Sequence, residues 1–289
     1  MDERSMSADF RTASVSTLLA GTFHRMAYTA WGDPAAPVVL CVHGLTRNGR
    51  DFDPLAESLS DRFHVICPDL PGRGQSDWLP DPSFYQAQHY VTALAHLLAA
   101  IGRPLAWIGT SLGGICGMLI AATAGNPITR LVLNDLGPFI PAAALARIRD
   151  TMADPTTPAT FPDLAALERH LRTIHAPFGT LTDDQWAHMA RHSSRLRPDG
   201  TYGLHYDPAI AVPIREVEPV DVDLWPFWDR IRVPVMAIRG ADSDLLLPQT
   251  LDRMRSAGAR TLEVADAGHA PALMAPDQIA AIRDFLAGA

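Results

Sequence analysis

The chain has no lysine; all 24 of its basic residues are arginine. That absence removes Schiff-base chemistry on a lysine, the lysine of a Walker phosphate loop and a Ser-x-x-Lys dyad. Charge is sparse, at 19% of residues, and the net balance is −8 with no basic stripe. A nucleic-acid partner is therefore not expected, and the acidity serves solubility. No apolar run is long enough for a membrane span. The stretch from Met1 to Ser7 lacks a charged segment followed by an apolar one, so no secretory signal is read. Only three cysteines occur, Cys41, Cys67 and Cys116, each inside an apolar run. They read as buried reduced thiols, and a cytoplasmic protein is expected. Histidine pairs are also short of partners. His188 and His192 lie four apart on an expected helix and His89 and His96 seven apart, with no nearby carboxylate to complete a ligand set, so no metal is expected.

What the chain does have is apolar residues, 47% of 289, enough for a sizeable core in one large domain or two small ones. Short β-rich runs at 25–30, 38–42, 64–67, 105–109, 131–134, 235–239 and 261–264 alternate with helical patterns at 52–59, 86–101, 112–122, 249–257 and 278–286. Continuous apolar strands alternating with helices predict an α/β fold with a mostly parallel central sheet and helices on both faces. The segments 15–19 and 25–30, separated by a turn, fit an antiparallel edge hairpin. Between 138 and 229 the alternation stops. Eleven of the 24 prolines fall there, and helical fragments at 163–174 and 183–193 replace strands. This divides the chain into a core, 1–137 with 230–289, and a mainly helical insertion, 138–229, placed over the C-terminal strand ends where open α/β sheets bind ligands.

The densest chemical signal is the run from Leu105 to Met118. An apolar strand pattern ends in Gly109-Thr-Ser111-Leu-Gly113 and passes straight into an apolar helix. This predicts a tight turn with Ser111 at its apex in a strained conformation, and glycines where strand and helix backbones nearly touch. A phosphate-binding loop is the competing reading, but the Walker lysine and the dinucleotide glycine spacing are both missing. Ser111 is therefore read as a nucleophile.

A nucleophilic serine needs a base and an acid that orients it. His269 follows the last expected strand, after Gly268, and is read as the base rather than an exposed loop histidine. After the penultimate strand come Asp242 and Asp244. Asp244 is the expected acid, because it precedes the turn pinned by Pro248. Asp242 instead fits local bonding in the turn. Asp135, at the end of the 131–134 strand, is a third candidate, read first as bonding locally at the start of the insertion.

The order Ser111, Asp244, His269 resembles that of the α/β-hydrolase family. So do Val42-His43-Gly44-Leu45-Thr46, the turn from Pro68 to Ser76, and Gly268-His269-Ala-Pro271. The resemblance runs from about Tyr28 to the C-terminus and is weakest across the insertion. It implies an α/β-hydrolase fold with a helical lid, and a serine esterase. The amides of Leu45 and Leu112 would serve as oxyanion donors, and His43, Asp69 and Arg73 would brace turns. One departure stands out: the family pattern places the acid three residues after glycine, and Ser243 holds that place.

The implied reaction is acyl transfer to water through an acyl-enzyme, with no cofactor. The expected substrate is a small or medium, largely apolar carboxylic ester. Lactones, thioesters and carbon–carbon bonds of diketones are alternatives, as is a non-catalytic small-molecule receptor on the same fold. Serine at the elbow disfavours the dehalogenase and epoxide hydrolase chemistries, which use aspartate there. Arg147, Arg149, Arg169 and Arg172 read as helix-surface cover.

Overall fold

A computed structural model describes residues 10–153 and 160–288. Eight strands form the central sheet: β1 (Phe10–Leu19), β2 (Thr22–Trp31), β3 (Val38–Val42), β4 (His64–Pro68), β5 (Leu105–Thr110), β6 (Ile128–Asn134), β7 (Val235–Gly240) and β8 (Arg260–Val264). Their spatial order is β1-β2-β4-β3-β5-β6-β7-β8. The first two strands pair antiparallel, β2 runs antiparallel to β4, and every later pairing is parallel. The edge hairpin is longer than the sequence pattern indicated. Its turn is Ala20-Gly21, both at positive φ, which matches the twist of tight hairpins.

The parallel strands read as unbroken apolar runs because both of their faces are covered. Val38, Leu40, Val42, Leu105 and Trp107 point into one core layer, and Val39, Cys41, Ala106 and Ile108 into the other. Helices α1 (Asp53–Leu59) and α10 (Pro276–Ala287) bury residues in the second layer, and α2 (Ala87–Ile101) and α3 (Leu112–Ala121) in the first. Helix α3 is apolar on nearly every side because it is buried on nearly every side. The three cysteines are buried free thiols, and no described helix is long and apolar enough to cross a membrane.

Between β6 and β7 the chain forms α4 (Ala142–Ala153), α5 (Leu164–Ile174), α6 (Asp183–Ser193), the short α7 (Ala211–Arg215) and α8 (Trp225–Trp228). Helix α4 holds no proline and carries Arg147 and Arg149, two of the arginines read as helix-surface cover. Phe161, Leu167, Leu171, Trp186, Met189 and Ala190 form a small core of their own there. Trp225, Phe227 and Trp228 instead pack on the main core and carry the chain back to the sheet. Helix α9 (Pro248–Ser256) then precedes β8.

Candidate active site

The strand–turn–helix at Ser111 has the geometry its glycines require. A Cβ on Gly109 would lie 2.3 Å from the Gly113 carbonyl oxygen, and one on Gly113 would lie 2.0 Å from that of Val42. Ser111 itself sits at φ 51° and ψ −113°, a conformation that costs a non-glycine residue of order 1–3 kcal/mol. Its neighbours hold it there. Its amide donates to the Asn134 carbonyl at 3.0 Å, and its carbonyl accepts from Gly114 and Ile115.

His269 lies in the loop between β8 and α10 and reaches this serine. Its Nε2 is 3.1 Å from Ser111 Oγ, and its Nδ1 is 2.6 Å from Asp135 Oδ2. With Nδ1–H donating to the carboxylate, Nε2 is left as the acceptor for the serine proton. The loop carrying His269 is tied down from two sides. The Asn134 Nδ2 donates to the Pro271 carbonyl at 2.8 Å, and the Gly268 amide donates to the Pro177 carbonyl at 2.8 Å.

The carboxylate on His269 is Asp135, and this corrects the expectation for Asp244. The loop after β7 turns Ser243 inward, at 5% exposure, and leaves Asp242 and Asp244 on its outer side. Asp244 pairs with Arg147, at 2.5 Å from Oδ2 to Nε and 2.8 Å from Oδ1 to Nη2. The Arg147 guanidinium holds its carboxyl below the usual range. Asp242 serves the turn through its amide, which donates to the Ala267 carbonyl at 2.9 Å. Asp135 fills the vacancy from the neighbouring strand end, fully buried and at φ 51°.

Three donors fix Asp135. They are His269 Nδ1–H, the Ser243 hydroxyl on the same oxygen at 2.6 Å, and the Gly240 amide on the other oxygen at 3.0 Å. Ser243 Oγ in turn accepts from the amides of Leu245 at 3.1 Å and Leu246 at 3.2 Å. Sequence reading missed this support. Its one signal was Ser243 standing where the family pattern has an aspartate.

The loop from His43 to Thr46 lies opposite. His43 is fully buried, and its Nδ1–H donates to the Gly44 carbonyl at 2.7 Å while Nε2 accepts from the Leu70 amide at 2.9 Å. Burial pushes this imidazole down to about 3, so it stays neutral. Arg73, also fully buried, braces the same loop by donating to the Leu45 carbonyl at 2.8 Å. Asp69 accepts from the amides of Gly49 and Gln75, with burial raising its carboxyl to about 6. The amides of Leu45 and Leu112 have no acceptor among the described residues, and Leu112 begins α3, where first-turn amides lack helical partners.

Ser111, His269, Gly44 and Leu45 line a cavity of about 190 Å³. Residues between β6 and β7 close its other side: Arg147, Ile148, Thr151 and Met152 from one face of α4, with Leu171, Phe178 and Leu204. The His188–His192 pair does acquire a carboxylate in space. Asp53 Oδ2 lies 3.5 Å from His188 Nε2, and one ligand atom from each of the three residues lies within 4.8 Å of the others. Arg50 already holds that carboxylate, through Nε at 2.9 and 2.8 Å, so the group is an ion-pair network between α1 and α6. His89 and His96 lie on α2, away from the cavity lining.

This fold and site belong to a known class. Residues 39–282 match the model of the alpha/beta hydrolase family, and the chain is a member of that family. It is an enzyme with ester hydrolases among its relatives. It is 41% identical to a 3-hydroxybutyrate-oligomer hydrolase of Cupriavidus necator, covering 98% of this chain and 100% of that one. A 2-(acetamidomethylene)succinate hydrolase of Mesorhizobium japonicum is 28% identical, over 73% of each chain. Among solved structures, an alpha/beta hydrolase from Novosphingobium aromaticivorans superposes with a TM-score of 0.87 at 35% identity, covering 98% of this chain and 99% of that one.

Proposed function

We propose that the chain is a serine ester hydrolase working through Ser111, His269 and Asp135, with short oligomers of a hydroxyalkanoic acid as its substrates. The observation that carries this reading is the unbroken hydrogen-bond path Ser111–His269–Asp135, 3.1 and 2.6 Å long, on the wall of a cavity. Ser111 Oγ attacks the ester carbonyl as His269 Nε2 takes its proton. Asp135 holds the ring in the required tautomer and stabilises the imidazolium. The amides of Leu45 and Leu112 receive the oxyanion, each worth about 3 kcal/mol to the transition state. The imidazolium then protonates the departing alkoxide, and the same imidazole activates a water that releases the acid from Ser111.

The segment 138–229 acts as a lid, supplying the cavity wall opposite the nucleophile and setting substrate choice. The oligomer assignment draws on the 41% identical relative, whose name specifies that substrate and whose length is covered in full. Labelling with an organophosphonate, followed by mass measurement, tests the chemistry. Stoichiometric modification of Ser111 is expected, together with a loss of roughly 10⁶ in kcat for Ser111→Ala. Folded protein that takes up no label points to a receptor on the same fold. Release of hydroxy acid from dimers and trimers, compared with simple alkyl esters, tests the substrate class.

A further inference from the structure

We infer that Arg147 is the docking point for a free carboxylate on the substrate, with Asp244 as the internal counter-ion that a bound substrate exchanges with or joins. The inference rests on the hydrolase reading and names a subsite of the same cavity. It adds a recognised free carboxylate to the largely apolar ester expected from the sequence.

Two guanidinium groups line the cavity, and their surroundings give them different uses. Arg47 is 6% exposed and committed: Nε and Nη2 each meet Asp51 at 2.7 Å, and Nη1 meets His175 Nε2 at 3.1 Å. Breaking that buried pair would strand a charge. Among the described residues the Arg147 side chain has one hydrogen-bonding partner, and the two side chains are 48% and 46% exposed. Exposed pairs of this kind contribute little to stability, so exchanging the partner costs little. The Asp244 carboxylate uses only Nε and Nη2, and Nη1 has no protein acceptor among the described residues. A guanidinium has five donors in a fixed fork, so one edge remains for a second carboxylate.

The position suits the task. Arg147 lies on the α4 face that carries Ile148, Thr151 and Met152, all of which line the cavity with Ser111 and His269. The charge of Asp244 is within electrostatic reach of His269. An ester with an apolar acyl part and a short acid-terminated tail thus finds aliphatic wall, nucleophile and cation around one space. Without a ligand, Asp244 keeps the cation neutralised and α4 fastened to the core.

The test compares a butyrate ester of a β-hydroxy acid with the primary amide of the same ester, identical at the scissile bond and differing by one charge. The ratio of kcat/KM, anionic over neutral, is expected to fall about tenfold in Arg147→Gln. In Asp244→Asn the ratio is expected to rise severalfold, because a competing anion is gone. High salt should shrink the wild-type ratio. A ratio that does not move in Arg147→Gln, or moves the same way in both variants, overturns the inference, since a purely structural latch fails alike from either side. If the wild type hydrolyses neither compound and takes up no organophosphonate, the hydrolase reading itself has failed. Calorimetric binding of butyrate against butyramide to wild type and Arg147→Gln then decides the subsite alone. Preference for the acid that vanishes in the variant supports it, and equal binding refutes it.

Discussion

Two neighbouring strand ends each carry an aspartate, and the fold gives them opposite fates. Asp135, after β6, is fully buried, accepts from three donors and touches His269. Asp244, after β7, is about half exposed and faces a guanidinium on α4. Both follow parallel strands that lie side by side, and both are one or a few residues beyond a strand terminus. What separates them is which side of its loop each occupies. A buried carboxylate depends on protein hydrogen-bond donors in place of water, so it becomes a fixed element of a network. An exposed one keeps water as an alternative and can change partners. The mechanism proposed above therefore takes its acid on burial and donor supply, which chain order alone does not reveal.

The sharpest way to break the comparison is to neutralise each aspartate in turn. Asp135→Asn should lower kcat on a simple ester by about 10⁴, the scale seen when the orienting acid of a triad is turned into an amide and the imidazole takes the wrong tautomer. The same exchange at Asp244 should cost at least a hundredfold less. Should the larger loss follow Asp244→Asn, the exposed pair with Arg147 would be a resting arrangement and the assignment of the acid would reverse.

Much of this was legible without coordinates, for physical reasons that differ by feature. The elbow at Ser111 was readable because close backbone approach admits only glycine at Gly109 and Gly113, so the constraint is written in residue type. The core strands were readable because two-sided burial demands unbroken apolar runs. The position of His269 followed from its place after the last strand. The acid resisted because the direction of a loop side chain depends on one residue of register, and Asp242, Ser243 and Asp244 alternate in and out. Ser243 in the expected acid position was the one clue that His269 meets a carboxylate from another strand end. The contacts Arg147–Asp244 and His188–Asp53 join residues 97 and 135 positions apart, and no local pattern encodes such meetings.

Burial as the deciding variable extends to the histidines, and acid makes it measurable. His43 is neutral in the fold, its imidazole pushed from 6.5 down to about 3 by burial. The unfolded chain binds a proton there as pH falls below 6.5 and the native state does not, so stability is lost progressively from 6.5 toward 3. Between pH 7 and pH 5 this one residue accounts for about 2 kcal/mol. His192, held down to about 3 chiefly by desolvation, acts in the same direction. Asp69, raised to about 6 by burial, acts oppositely, since the native state gains a proton between 6 and its unfolded value of 3.8. The histidines outnumber it, so thermal midpoints should drop on acidification. The His43 ring resonances should meanwhile keep their neutral shifts at pH 5. Titration of His43 near 6.5 in the folded protein would refute this account.

The finest test concerns what makes the buried aspartate different, its extra donor. The Ser243 hydroxyl has one proton and two lone pairs. Both lone pairs face the amides of Leu245 and Leu246, which leaves the proton only one direction, toward Asp135 Oδ2. In the proposed mechanism Ser243 is thereby a positioning residue, acting on Ser111 through Asp135 and His269. Removing the hydroxyl leaves two buried amides unanswered and frees the carboxylate to swing, so kcat should fall roughly tenfold in Ser243→Ala. Ser243→Thr and Ser243→Val, nearly equal in shape, isolate the hydroxyl: the threonine variant should keep kcat near the wild-type value and the valine variant should not. If the two variants share one kcat, the hydroxyl only fills space, and the advantage of Asp135 over Asp244 comes from burial and the Gly240 amide alone.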